Sequence, residues 1–318
     1  MKTDASWSSA FAPATVANVG PGLDVLGLAL SIDTGIGDYC AVRLSDSFEM
    51  NLIIAGDDGR LPTDPHQNVA SVVGMKVLEL AGLESGFDMQ LKKGIPPESG
   101  LGSSAASAAS AAVAMNRALG DVLSTEQLIE AARVGEQLAA GSPHPDNVVP
   151  ALLGGFQLMM DHSDRGLETV QLPVPTNMFV VVVHPEMGLK TSDSRAVLPS
   201  QVSMSDAVAN MGSLAMVVSA LYDSDMARLS ANLVDRLHQP YRSSLIKGYN
   251  TVIDAALENG ALGAGLSGSG PSMFSLSMGL ETAQRCANAM QVAFDGVGVQ
   301  SRKIVSAIGN KGTLQSPH

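Results

Sequence analysis

Between residues 11 and 42 short apolar runs (TVANV, DVLGLAL and YCAVRL) alternate with Gly and Pro, and NLIIAG follows. The pattern predicts a strand-rich first quarter folded as an antiparallel layer. Beyond residue 64 the period changes. NVASVVGMKVLELAG places apolar residues at helical spacing, FDMQLKK reads as a strand, and SSAASAASAAVAMNRALG reads as a long Ala-rich helix. STEQLIEAARVGEQLAAG is a further helix, opened by Ser124 with Gln127 three residues on and closed at Gly141. From residue 155 the strands FQLMMD, TVQLPV and the buried run MFVVVVHP precede two helical stretches, at 206–221 and 224–237. A helix over SLIKGYNTVIDAALENG, a strand at PSMFSLS, a helix over LETAQRCANAMQVAFDG and a strand at GVQSRKIVSAIG complete the pattern. Strands and helices mix without strict βα alternation, so the class is α+β. The length of 318 residues exceeds what one core usually serves, and the expected division is residues 1–160 and 161–318.

Charge narrows the function. Lys and Arg total 19 against 31 Asp and Glu, a formal charge of −12, which excludes nucleic acid as a natural partner. An anionic ligand would have to be drawn in locally, by backbone amides, a bound cation and a few placed basic residues. No apolar run reaches the roughly 18 residues of a membrane span, and MKTDASWSSAFAP lacks a signal-peptide core, so a soluble cytoplasmic protein is expected. Cys40 and Cys286 stand far apart with no CxxC, as reduced packing residues. The methionines read as core filler, and the polar segment 310–318 as a fraying end.

The segment PPESGLGSSAA joins a strand to the Ala-rich helix, and it carries the phosphate-binding signal. Pro97, Glu98, Ser99, Gly100, Leu101, Gly102, Ser103 and Ser104 form a loop whose glycines let backbone N–H groups approach an anion, at a helix start with unpaired donors and a favourable dipole. The hydroxyls of Ser103 and Ser104 suit Mg²⁺. No GK[ST] follows, which excludes a Walker loop, and four residues separate the strand from the first glycine, unlike a tight Rossmann turn. A second glycine string at 263–271 matches GxGxxG but runs from helix to strand, and alone reads as a tight loop.

Taken in order, PATVANVGPGLDVLGLAL at 13–30, PPESGLGSSAA at 96–106 and GAGLSGSGPS at 263–272 resemble the three motifs of the GHMP kinases. The resemblance spans nearly the whole chain. It implies an N-terminal ribosomal-S5-like domain with a left-handed βαβ crossover, a C-terminal ferredoxin-like domain, ATP with Mg²⁺, and a homodimer. Within the superfamily the finer resemblance is to the homoserine kinase family. GEQLAAGSPHPDNV supplies Glu136, His144 and Asn147, KTSDSRAVLP supplies Thr191 and Arg195, and HQPYR supplies Arg242.

By that resemblance Ser104 and Glu136 hold Mg²⁺, Gly100 to Ser104 hold the β- and γ-phosphates, and Asn68 contacts adenine. An L-homoserine acceptor would place its carboxylate on Arg195 and Arg242 and its ammonium on Asp24, leaving Asn18, His144, Asn147 and Thr191 to orient the hydroxyl. Asn147 stands where related kinases carry an Asp, so no carboxylate base is expected. Each residue singly has an ordinary role open to it, as a turn, a cap or a surface charge. Other functions to separate are a GHMP kinase for threonine, shikimate or mevalonate, a non-catalytic nucleotide-binding regulator, and a dehydrogenase.

Overall fold

The computed structural model describes residues 6–162 and 164–316. The first sheet sets β1 (Ser8–Pro13), β4 (Gly37–Ser45), β6 (Gly86–Lys92) and β5 (Met50–Ala55) side by side in that order. Its β1–β4 and β4–β6 pairs are antiparallel, but β5 and β6 run parallel, since α1 (Val69–Leu80) carries the chain back between them. The expected antiparallel layer is corrected at that pair, and two of the strands expected in it belong to a separate sheet. A second sheet has the order β2 (Thr15–Ala17), β3 (Leu26–Ala29), β7 (Phe156–His162), β8 (Gly166–Leu172). The β7–β8 hairpin crosses residue 160.

Between and against these layers lie α2 (Ser103–Ala118), α3 (Thr125–Ala140) and α4 (Pro145–Leu153). Every residue of α2 from Ala105 to Asn116 is buried, because α1, α3, α4, β1 and β4 all touch it. A helix enclosed on all sides needs side chains short enough to let five neighbours approach, hence its run of Ala and Ser. The α3 start is the expected capping box of Ser124 and Gln127, and Gly141 closes the helix in the left-handed conformation.

The third sheet has the order β10 (Gly263–Leu266), β11 (Met273–Met278), β9 (Met178–Pro185), β12 (Ser301–Ala307), and all of its pairs are antiparallel. Its valine-rich central strand faces two cores. Val180 and Val182 enter the large one, which reaches across both halves of the chain, while Val181 and Val183 enter a smaller one formed with α9 (Tyr249–Glu258) and α10 (Leu280–Gly296). The glycine string at 263–271 is therefore half strand: Gly263–Leu266 is β10, and only the residues after it form the loop.

Other boundaries move as well. The strand expected at TVQLPV begins three residues earlier, and the helix expected at 224–237 is α7 (Met226–Asn232), ended where Leu233 leaves the helical region. The long helix expected from 244 starts only at Tyr249, because Gly248 adopts a left-handed conformation. Three short helices went unforeseen: α4, α5 (Thr191–Ala196) and α8 (Gln239–Arg242). By length and composition alone, α6 (Met204–Asp223) is apolar enough to cross a membrane, although Asp206, Asn210 and several serines interrupt its apolar residues. It packs on α7 and β8, and its buried Asn210 donates to the Pro21 carbonyl.

The polar C-terminal segment is also tied down: Thr313 donates to the Ala151 carbonyl and Ser316 accepts from the Phe11 amide, while residues 317–318 lie outside the described residues. Both cysteines are free and buried, and burial pushes the Cys40 thiol up.

Candidate active site

A cavity of about 720 Å³ opens between the start of α2 and the loops of the third sheet, and every candidate site residue singled out from the sequence lines it except Leu101. Leu101 is buried in the core, so only its backbone is left for a ligand.

At one end the phosphate loop leads into α2. Gly102 caps the helix in the left-handed region, with no side chain covering the first amides. The glycines are demanded by neighbours as much as by an anion. A Cβ on Gly102 would lie 2.0 Å from Thr15 Oγ1, and one on Gly100 would lie 2.6 Å from the Gly270 carbonyl oxygen. The two serines divide their tasks: Ser103 donates to the Ile95 carbonyl at 2.9 Å, whereas Ser104 donates to Glu136 Oε2 at 2.8 Å. Ser104 and Glu136 are thus the pair the structure joins. Burial pushes Glu136 up to about 7, against the lowering effect of the Ser104 hydrogen bond. A carboxylate and a hydroxyl are the hard oxygen donors that suit Mg²⁺, which takes one or two carboxylates together with phosphate oxygens and water.

Beyond the loop, Leu61, Pro62, Val69 and Leu91 give the cavity an apolar stretch. Asn68 borders it as the cap of α1, with both polar ends engaged: Oδ1 accepts from the Ala70 amide and Nδ2 donates to the Pro62 carbonyl, each at 2.9 Å.

The other end is charged. Arg195 on α5 donates through both terminal nitrogens to Asp24, at 3.1 and 3.3 Å, and also meets His144 Nε2. Burial, ahead of the neighbouring charges, lowers the His144 pKa, so the ring is neutral near pH 7 and can accept from Arg195. Asn18 fixes Asp24: its Oδ1 accepts from the Asp24 amide at 2.8 Å and its Nδ2 donates to the Gly268 carbonyl at 3.0 Å. Arg242 is almost fully buried and donates to the carbonyls of Ser194 and Gly268 at 3.1 and 3.2 Å. Thr191 lies 3.4 Å from the Ser269 hydroxyl. Asn147 Oδ1 accepts from Thr15 Oγ1 at 2.7 Å and its Nδ2 donates to Asp146 Oδ1 at 3.5 Å, leaving one amide N–H for a ligand.

Two residues went unread in the sequence. Asp146, beside Asn147 in the first turn of α4, lines the cavity, and burial, with Asp24 and Glu136 adding, pushes it up to about 7, so it can take or give a proton near neutrality. Its signal was Pro145, a residue suited to the first helical position, with an acid directly after it. Lys93, buried beneath the start of α2, contacts Asp38 and donates to the Ser103 carbonyl and to Ser107. No local pattern marked it.

The chain is similar to known proteins over nearly its full length. Residues 68–155 match the family model of the GHMP kinases N-terminal domain and residues 217–295 that of the GHMP kinases C-terminal domain. A homoserine kinase of Chlorobium phaeobacteroides (strain BS1) is 40% identical over 295 residues, covering 89% of this chain and 91% of its own. A homoserine kinase of Chlorobaculum tepidum is 40% identical over 315 residues, covering 95% and 96%. The crystal structure of a homoserine kinase from Cytophaga hutchinsonii superposes with a TM-score of 0.92 at 41% identity, covering 98% of each chain.

Proposed function

The chain belongs to the GHMP kinases, and from that membership we propose that it transfers the γ-phosphoryl group of ATP to the side-chain hydroxyl of L-homoserine, giving O-phospho-L-homoserine for threonine biosynthesis. One observation carries the acceptor: the cavity that begins at an anion-binding helix start ends at the Asp24–Arg195 ion pair, with Arg242 lining the same space. A zwitterionic amino acid matches that pair. Its ammonium meets Asp24 while its carboxylate meets Arg195 and Arg242, so the two protein charges exchange one partner for another without either being left bare.

At the nucleotide end, Gly100 to Ser104 hold the β- and γ-phosphates and the apolar stretch beside Asn68 takes the base. Ser104 and Glu136 hold Mg²⁺, which when bound neutralises charge on the transferring phosphoryl group. The protein's own contribution is alignment. Asn18 sets Asp24, His144 braces Arg195, and Asn147 and Thr191 face the acceptor hydroxyl; phosphoryl transfer through a loose transition state depends more on such positioning than on early deprotonation. Family membership also supports a cytoplasmic homodimer divided near residue 160.

A coupled ADP-release assay tests the acceptor. Brisk, Mg²⁺-dependent turnover with L-homoserine and little with threonine, shikimate or mevalonate is expected. Turnover of another of these alcohols in preference would replace the acceptor. Calorimetric ATP binding without acceptor-dependent ADP release would make the chain a nucleotide-binding regulator.

A further inference from the structure

The peptide that opens the phosphate loop is held from behind. Ser272, fully buried in the loop that joins β10 to β11, donates to the Ser99 carbonyl through its hydroxyl at 2.6 Å and its amide at 3.2 Å. A trans peptide sends its C=O and N–H to opposite sides, so anchoring the Ser99 carbonyl fixes where the Gly100 N–H points. That plane needs an anchor. Gly100, at φ +75°, has no Cβ to restrict it, and Ser267 fixes the following plane in the same way by donating to the Gly100 carbonyl at 2.6 Å.

The Ser272 hydroxyl has one hydrogen, which goes to Ser99. Its 3.0 Å contact with His184 Nδ1 must therefore have the imidazole as donor. His184 stands on β9, half-buried behind the loop, facing Arg302 of β12 and Glu186 of its own segment; burial first, then Arg302, lowers its pKa, against Glu186 and the nearby Ser99 backbone, which raise it. The neutral ring carries its hydrogen on Nδ1, which orients the Ser272 hydroxyl toward Ser99.

We infer that His184 is a positioning residue for the nucleotide: through Ser272 it locks the Ser99–Gly100 peptide so that the Gly100 N–H faces the phosphates. This rests on reading Gly100 to Ser104 as the phosphate site, and not on the identity of the acceptor.

Calorimetry with Mg–ATP and no acceptor, beside steady-state assays, tests it. His184→Ala weakens Mg–ATP binding roughly fivefold to tenfold, the worth of about one hydrogen bond, while the acceptor KM stays within about twofold. His184→Asn, whose amide can place a donor near the Nδ1 position, recovers most of the affinity. Because His184 acts through Ser272, the double variant H184A/S272A binds no more weakly than S272A. Wild-type affinity in H184A overturns the assignment, as do additive losses in the double variant, or equal losses for both substrates with a lowered Tm. If the wild type binds Mg–ATP but phosphorylates no candidate alcohol, the acceptor reading fails and the role of His184 stands; if it binds no Mg–ATP, both fail.

Discussion

Replacing Lys93 by Met removes an ammonium and keeps most of its stem. The side chains of Lys93 and Asp38 are 2% and 0% exposed, so the carboxylate left behind has no access to water. Breaking a buried ion pair from one side costs about 3–5 kcal/mol. Asp38 keeps the amides of Gly94 and Ile95, at 3.0 and 3.2 Å, and the Ser107 hydroxyl at 2.8 Å, which places the loss near the lower end, about 3 kcal/mol. Against a total stability of about 5–15 kcal/mol, that is a fifth or more.

The reverse change, Asp38→Asn, behaves differently. Burial already lowers the Lys93 pKa and Asp38 is the main influence raising it, so without Asp38 it falls further. The unfolded chain then binds a proton that the folded one does not, and the variant gains stability relative to wild type as pH rises toward the ordinary lysine value of about 10.4. The double variant K93M/D38N has no buried charge at this position and recovers at least half of the single loss. Urea unfolding followed by circular dichroism reads all three, with an unchanged m confirming a common unfolded state. A K93M loss under about 1 kcal/mol, or a double variant losing as much as the two singles together, refutes the reasoning.

Gly102→Ala would put a Cβ 2.0 Å from Thr15 Oγ1 at a φ of +67°, and should abolish Mg–ATP binding by calorimetry; retained affinity would mean that the helix start is not the phosphate site. Glu136→Gln can keep the Ser104 contact but loses the carboxylate, and turnover should fall on the order of a hundredfold with a raised Mg²⁺ requirement, read from an Mg²⁺ titration of ADP release. Asp24→Asn should raise the acceptor KM about tenfold or more and leave the ATP KM nearly unchanged, since an amide neither balances an ammonium nor holds Arg195 as firmly. His238 is fully buried with Nε2 3.6 Å from Asp235 Oδ1, and burial, ahead of the opposing Asp235 charge, lowers its pKa to about 4. A folded pKa below the unfolded one gives stability that is full above pH 6.5 and falls as pH drops toward 4. Proton uptake on unfolding at pH 5.5 should therefore fall by close to one proton in His238→Asn, and an unchanged uptake would count against the assignment.

What the sequence determined by itself was local. The Ala and Ser run of α2, the capping box at Ser124 and Gln127, and the valines of β9 each follow from contacts within a few residues or from a periodicity of two or 3.6. The phosphate loop was legible for the same reason, since helix start and glycines lie within one short segment. Tertiary structure decided the rest. Asp24 and Arg195 are 171 residues apart, and the Ser99 carbonyl and Ser272 are 173 apart; only the register of separate sheets and the closing of long loops brings them within hydrogen-bond distance. Residues 263–266 carry the composition of a loop and become a strand because β11 offers its backbone groups partners. Lys93 had no distinguishing neighbours in the chain, and its role arises where β4, β6 and the start of α2 meet and exclude water. Hydrogen bonds within a turn can be read along a chain, whereas burial and charge pairing exist only once distant segments have packed.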